Sequence, residues 1–561
     1  MASSPQREQV LRGSPPASLM FALWSRGSNA GPRVHTIEQA LQSSSGRQLR
    51  EDMATWVLQF LPVEALVPDL YARWRPLVYD AMRFVFCHLS IARLAPKLVE
   101  QIDLPYDTKP EVRLLELIAR VPGLQKLGQV LARNRNLPPA LRRALSELEN
   151  GIADVEVREV QAIIRDELGV RLKEYAVKIE PSLYSEASVS AVVRFRWSNP
   201  ETKRRERGVF KVLKPYIPAC FAEDMELLAQ LAKYLGSRHR SYGFAPHVLP
   251  DTFNDVRRLL QHEVDFRREQ KTLAKAAEFY ASVRDVRIPH VMSPLCTRKI
   301  TAITEERGRK ITAAVSHMPV WQRVHVSQEL IDALIAIPLF TPAGDALFHA
   351  DPHAGNLLYD SKTGKLVILD WALTEHLGRI QRRHLAMLFL MIVLRDPVGA
   401  SDAILALSPS EKGRARVNAR IVRKNVMVFM NKLPVKHMAG AVDAMSLLEK
   451  IAFEGVRLPS SLVMFRKALF TLDGILHDIG APDFSMESVM TRYLIRNWIG
   501  NWKAIGSPLS LGDWLQVQCS ALLFPGRLWV RGAESVLEKT ATAAKVGEGR
   551  EQARLSVSRS A

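Results

Sequence analysis

The chain has 561 residues, enough for more than one folded unit, and its 47% hydrophobic content is ordinary for a globular protein. Its 77 lysines and arginines against 58 acidic residues give a formal net charge of +19, a surplus that favours polyanionic partners. No stretch interleaves basic and aromatic residues as a nucleic-acid module does, so nucleic acid is not an expected partner. The four cysteines (Cys87, Cys220, Cys296, Cys519) form no Cys-x-x-Cys pair, which argues against a disulfide framework or a thiolate metal site and for a reducing compartment.

Residues 1–35 are rich in Ser, Pro, Gly and Arg and read as a disordered basic tail. Across the first fifty residues six arginines and nine serines face only Glu8 and Glu38, so an organelle transit peptide is the alternative. From 36 to 175 Leu, Ala, Arg and Glu recur at three- and four-residue spacing, which predicts a helical extension. Between about 178 and 215 the period changes to two. Ser188–Trp197 and Gly208–Leu213 read as paired strands around the turn at Ser198–Glu201. Helical segments follow over about 219–238 and 254–282. The longest pure apolar run, Leu385–Leu394, has ten residues, too short to span a bilayer and suited to a buried helix. The remainder after the loop at 350–370 reads as helical. A Trp-rich segment over 491–537 precedes a polar tail over 538–561.

The chemistry concentrates in His349-Ala350-Asp351-Pro352-His353-Ala354-Gly355-Asn356 and in Leu366–Asp370. Asn356 follows Asp351 by five residues, and Asp370 follows Asn356 by fourteen. A kinase needs this set: one aspartate to orient the acceptor, then an asparagine and a second aspartate to hold Mg²⁺. The apolar runs Ala346–Phe348 and Leu357–Tyr359 read as strands on either side of the loop, and Lys365–Leu369 as a buried strand delivering Asp370. Lys211, within Val209–Val212, supplies the strand cation that grips phosphates. Glu263 and Glu269 are both candidates for the helical glutamate that holds it, with Glu263 the expected partner. Glu305 lies where a hinge would contact adenine through its backbone. Three features depart from an ordinary protein kinase: no Gly-x-Gly-x-x-Gly precedes Lys211, Ala350 stands before Asp351, and Trp371-Ala372 follows Asp370.

With Lys126-Leu127-Gly128-Gln129, Leu137-Pro138-Pro139, Glu263–Glu269 and His349–Asn356, the chain resembles the UbiB (AarF-type) family of atypical kinase-like proteins, which is associated with ubiquinone and other isoprenoid-quinone lipids. Leu458-Pro459 and Lys467-Ala468-Leu469 resemble that family's C-terminal helical region. The resemblance covers about residues 115–490. It implies that Lys126 and Gln129 face the nucleotide pocket and restrict protein substrates, and that an alanine-rich loop replaces the glycine-rich one. Here that loop is Ser185–Ser190, with Ala187 and Ser188 near the nucleotide and Glu186 placing a negative charge beside the phosphates. Trp371 is also similar to its counterpart in aminoglycoside-type phosphotransferases, an assignment the Lys-x-Gly-Gln motif opposes.

The expectation is therefore an α+β, bilobal protein-kinase-like fold: a helical extension (36–175), a small β-containing N-lobe (176–308) and a helical C-lobe (309–490). The expected cofactors are ATP and Mg²⁺, held through Lys211, Asn356 and Asp370, with Asp351 and the Lys211–glutamate pair serving catalysis. The resemblance implies an ATPase or phosphotransferase in isoprenoid-quinone or related lipid metabolism, with anionic phospholipid, isoprenoid lipid and quinone-biosynthesis proteins as partners. A small-molecule phosphotransferase and a non-catalytic nucleotide-binding scaffold are the alternatives. The expected location is the cytoplasm, peripheral to a membrane. Trp498, Trp502, Trp514 and Trp529, interleaved with Arg496, Lys503, Arg527 and Arg531, fit either packing on the helical lobe or a bilayer interface.

Overall fold

Helical periodicity dominates the chain, and a short period-two region supplies its main sheet. The computed structural model describes residues 30–67, 69–105, 107–125, 155–187, 189–243, 246, 248–341, 344–408, 415–434, 439–479, 486, 489–490 and 508–530. The chain divides into two compact units, Met1–Lys310 with Gly355–Leu373, and Ile311–Ala354 with Thr374–Ala561.

The first unit opens with α1 (Ala30–Gln42), α2 (Gly46–Gln59), α3 (Arg75–His88), α4 (Ile91–Asp103) and α5 (Pro110–Ile118). Helix α6 (Val157–Leu168) precedes the main sheet, and α7 (Ile217–Ser237) follows its third strand. Ile37, Met53, Leu94 and Leu98 form a buried core shared with Leu231 and Leu235 of α7. Burying such side chains is worth about 1.5–3 kcal/mol each, which is what holds these short helices in place. A buried ion pair fixes their register: Arg93 lies 2.7 Å from Asp224 of α7, and the Gly123 backbone N–H donates to the same carboxylate at 2.8 Å. Burial pushes the Asp224 carboxyl up, and Arg93 and Gly123 offset this only in part.

The main sheet runs β1 (Lys178–Glu186), β2 (Ser190–Ser198), β3 (Arg205–Leu213) and β5 (Ile300–Thr304), all neighbours antiparallel. In β2 alternate residues Ala191, Val193, Phe195 and Trp197 are buried, as the period-two pattern requires. Phe195 stacks on Phe210 with centroids 3.8 Å apart, and Gly208 makes room for it: a Cβ there would meet the Phe195 ring at 2.5 Å. Strand β1 does not alternate in burial and carries two register shifts, which explains its faint sequence signal. A smaller sheet orders β4 (Val286–Arg287), β9 (Lys365–Ile368), β8 (Leu357–Asp360) and β6 (Arg309–Lys310), with β8 and β9 joined through Gly364 at φ +66°. The helical stretch expected over 254–282 is two helices, α8 (Val248–Val264) and α9 (Phe266–Phe279). Asp265 ends one and caps the other by accepting the Arg268 backbone N–H at 3.0 Å.

In the second unit β7 (Asp345–His349) pairs antiparallel with β10 (Thr374–Gly378), a strand where the sequence suggested only helix. The unit also holds α10 (Val320–Ile331), α11 (Arg379–Val393), α12 (Pro397–Leu407), α13 (Ala415–Lys432), α14 (Ala441–Phe453) and α15 (Ser460–Asp478), of which α11 and α15 contact β10. The apolar run at 385–394 is largely buried in α11, through Leu385, Leu388, Met391 and Ile392 among others. A last helix, α16 (511–530), packs through its two charged residues. Asp513 binds Arg383 at 2.7 Å and Arg527 lies 3.3 Å from Asp396. Its other side exposes Leu515, Leu522, Leu523 and Trp529, so the helix both packs and presents an apolar face. Trp498 and Trp502 lie outside the described residues. Among the described residues no helix is long and apolar enough to cross a membrane. The architecture is thus mixed α and β, mostly helical, with an N-terminal helical region and small sheets.

Candidate active site

Three elements of the first unit converge on one ammonium group. Lys211 projects from mid-β3, and its Nζ lies 2.6 Å from Glu269 of α9 and 3.1 Å from Asp370 just after β9. The glutamate that holds the strand lysine is therefore Glu269. Glu263, the partner expected from the sequence, ends α8 one helix earlier. The break at Asp265 sets the register of α9, turning Phe266, Glu269, Gln270 and Leu273 inward. Burial opposes the Lys211 charge, but Asp370 and Glu269 together override it and hold the ammonium above the ordinary lysine range. The Glu269 carboxyl is pushed up by burial, and Lys211 offsets this only in part.

Helix α9 makes two further contacts that orient the site. Gln270 donates to the carbonyls of Thr297 and Ile300, tying the helix to the approach of β5. Thr272 donates to the carbonyl of Trp371 at 2.8 Å, tying it to the turn that carries Asp370. Asp370 itself adopts φ +48°, which reverses the chain out of β9. Its carboxylate accepts from the Ala372 N–H at 3.2 Å, while Trp371 is fully buried against Tyr280. Trp371 is thus a core anchor next to the aspartate. Thr272 had no sequence signal beyond its place three residues after Glu269.

Asn356 ends a short turn (Ala354–Asn356) before β8, and its carbonyl accepts the Leu369 N–H at 2.8 Å, so it stands beside the residue preceding Asp370. The asparagine amide oxygen and the Asp370 carboxylate are hard donors of the kind Mg²⁺ prefers. Among the described residues no cluster of three or more His, Cys, Asp or Glu forms a metal cage. Mg²⁺ at a nucleotide site usually takes only one or two protein carboxylates, with phosphate and water completing its shell, so the donor set fits it.

Glu186 does not present a bare negative charge. Its carboxylate lies 3.1 Å from the ammonium of Lys214, whose side chain is only 1% exposed. Ala187 follows it and donates its N–H to the Ser190 carbonyl, closing the β1–β2 loop. Glu305 follows β5, with its backbone N–H donating to the Arg207 carbonyl at 3.3 Å and its carboxylate on Arg194 at 2.8 Å. Lys126, Gln129 and Ser188 lie outside the described residues.

Asp351 belongs to the second unit, in the loop leaving β7. Its N–H donates to Nδ1 of the buried His349 at 3.1 Å, and its carbonyl accepts the His353 N–H at 2.8 Å. Its side chain is 6% exposed, and Oδ1 lies 3.1 Å from Nζ of Lys467 on α15. Lys467 lies far from the motif at 349–356 in the sequence and carries no local signal of this contact.

Residues 147–402 match the model of the ABC1 atypical kinase-like domain. The chain is 24% identical to the chloroplastic ACTIVITY OF BC1 COMPLEX KINASE 7 of Arabidopsis thaliana, over 66% of this chain and 52% of that protein. It is 24% identical to the probable protein kinase UbiB of Haemophilus ducreyi, over 53% of this chain and 54% of that one. The probable protein kinase UbiB of Pseudomonas putida is 22% identical, over 66% and 67%. The chain therefore spans about half to two thirds of the length of these relatives. A solved structure of a Mycobacterium tuberculosis protein with erythromycin is similar at 17% identity and TM-score 0.44, covering 66% of this chain and 92% of that one. The expected resemblance holds: residues 147–402 form an ABC1 atypical kinase-like domain, and the chain is similar to proteins named as UbiB and ABC1 kinases.

Proposed function

We propose that this chain binds ATP with Mg²⁺ and hydrolyses it or transfers its phosphoryl group, in support of isoprenoid-quinone or related lipid metabolism at a membrane surface. The observation that carries this reading is the largely buried Lys211 ammonium held between Glu269 and Asp370. Nucleotide and cation together would supply an activated phosphoryl group with part of its charge neutralised. Lys211 would grip the phosphates, and Glu269 would keep its ammonium in place. Asn356 and Asp370 would supply the oxygen ligands for the cation. Ala187 and Ser188 would line the loop over the nucleotide, while Glu305 would border its base. Asp351 would orient the acceptor hydroxyl, whether water or a small molecule. On the family resemblance, Lys126 and Gln129 would keep protein substrates out. Residues 176–308, together with Asn356 and Asp370, would form the nucleotide-binding part, and the rest of 309–490 the acceptor part.

The quinone-lipid assignment rests on the family resemblance, whereas a separate observation supports the membrane surface. The only charged residues of α16, Asp513 and Arg527, are turned inward to ion-pair partners. The exposed side carries Leu515, Leu522, Leu523 and Trp529. Contiguous apolar surface of this kind marks an interaction site, and a chain of net charge +19 is drawn to anionic lipid.

In Mg²⁺-dependent ATP turnover by the purified chain, Asp370→Asn is expected to lose roughly 10²–10³-fold, the scale of removing one group that stabilises the transition state. Glu269→Gln should lose at least tenfold and Glu263→Gln should stay near wild type; the reverse order would remove the Lys211–Glu269 pair from the mechanism. Glu186→Ala should lower the melting temperature without tightening ATP binding, because its carboxylate neutralises a buried ammonium. A tenfold gain in ATP affinity would instead mean that Glu186 repels phosphate. In co-sedimentation with phosphatidylglycerol vesicles, Leu522→Glu with Trp529→Glu should abolish most binding, and unchanged binding would take α16 out of the membrane contact.

A further inference from the structure

The loop Ala350-Asp351-Pro352-His353-Ala354 contains no lysine or arginine. Hydrogen bonds through His349 and His353 fix its backbone on either side of Asp351. The Asp351 carboxylate is nearly buried, and a carboxyl taken out of water resists ionisation unless a cation offsets the cost. The cation comes from 116 residues further along the chain, as Nζ of Lys467 at 3.1 Å. Its placement is built into the packing of the second unit. Phe465 of α15 is fully buried and meets Phe348 of β7 edge-on with centroids 5.4 Å apart, and Ala468 and Leu469 are buried beside it. The helix is thus pinned to the strand that launches the loop, with Lys467 two residues beyond the aromatic contact.

We infer that Lys467 is a positioning residue for the proposed phosphoryl transfer, holding the Asp351 carboxylate aimed so that it can accept a hydrogen bond from the acceptor hydroxyl. The inference rests on the phosphotransfer reading for its catalytic part. Phosphoryl transfer asks little base strength of such a carboxylate and much of its orientation. An ion pair suits that demand, because it fixes direction while making the carboxylate a weaker base. Lysine at this position acts through Asp351, and its loss should appear in turnover rather than in nucleotide affinity.

The test uses the full chain as wild type, Lys467→Met, Lys467→Arg, Asp351→Asn and the Lys467→Met/Asp351→Asn pair. ATP turnover, Mg-ATP affinity by calorimetry and melting temperature are measured on each. Lys467→Met is expected to lower kcat on the order of 10²-fold, the cost of a misplaced catalytic group, with Mg-ATP affinity within about twofold of wild type. Lys467→Arg should recover most of the rate, and adding Lys467→Met to Asp351→Asn should cost no further rate. Lys467→Met should melt below wild type, and Asp351→Asn in the same chain should restore part of that loss. Equal rate losses whether or not Asp351 is present, or no rescue by arginine, would overturn the positioning role. If wild type shows no turnover, the phosphotransfer reading and the catalytic role fail together. The melting cycle then judges the pairing alone, and additive shifts would mean that Lys467 does not hold Asp351.

Discussion

Three elements of the first unit, β3, α9 and the turn after β9, are organised around one charge that the fold takes largely out of water. An isolated ammonium as buried as that of Lys211 would cost several kcal/mol, and only well-placed anions and hydrogen bonds repay it. Glu269 and Asp370 are those anions, at 2.6 and 3.1 Å. Meeting both at once requires β3, α9 and the turn after β9 to hold a common register. That requirement explains otherwise unrelated details: the Asp265 cap that starts α9, the positive φ of Asp370, and the Thr272 hydroxyl on the Trp371 carbonyl. The residues that place these carboxylates are therefore as much a part of the site as the carboxylates themselves.

The same compensation recurs at each charged position near the proposed chemistry. Lys214 is buried against Glu186, and Lys467 lies against Asp351. Each pair joins a loop to a more regular part of its own unit: the β1–β2 loop to the end of β3, and the Asp351 loop to α15. A buried pair is weak evidence for net stability, since apolar side chains of similar volume can do as well. Its value here lies in direction, because a short ion pair fixes where a flexible side chain points. A kinase-like site without a glycine-rich flap has fewer backbone donors with which to do so.

Much of this arrangement was legible in the sequence, and the exceptions share a cause. The Asp351, Asn356 and Asp370 spacing lay within twenty residues, and Lys211 sat in an apolar period-two run, so local pattern sufficed to nominate them. Asn356 and Asp370 come together because one precedes β8 and the other follows β9, two paired strands that the apolar runs flanking them already implied. The choice between Glu263 and Glu269 turned instead on a helix break of one residue. Asp265 ahead of Phe266 and Arg268 was a readable N-cap signal, but an unbroken helical reading over 254–282 passed over it. The partners of Glu186 and Asp351 were beyond local pattern altogether. Lys214 is brought to Glu186 by strand pairing, and Lys467 reaches Asp351 only through the packing of α15 on β7. Trp371 looked like a departure after Asp370, whereas its side chain belongs to the core and its carbonyl to the α9 contact.

The most direct test of the account is calorimetric titration of ATP into the full chain, with and without Mg²⁺, beside a Lys211→Met variant. A site built on Lys211 should bind ATP more strongly with Mg²⁺ and at least tenfold more weakly when Lys211 is replaced. ATP binding indifferent to both the cation and Lys211, or no binding at all, would contradict it.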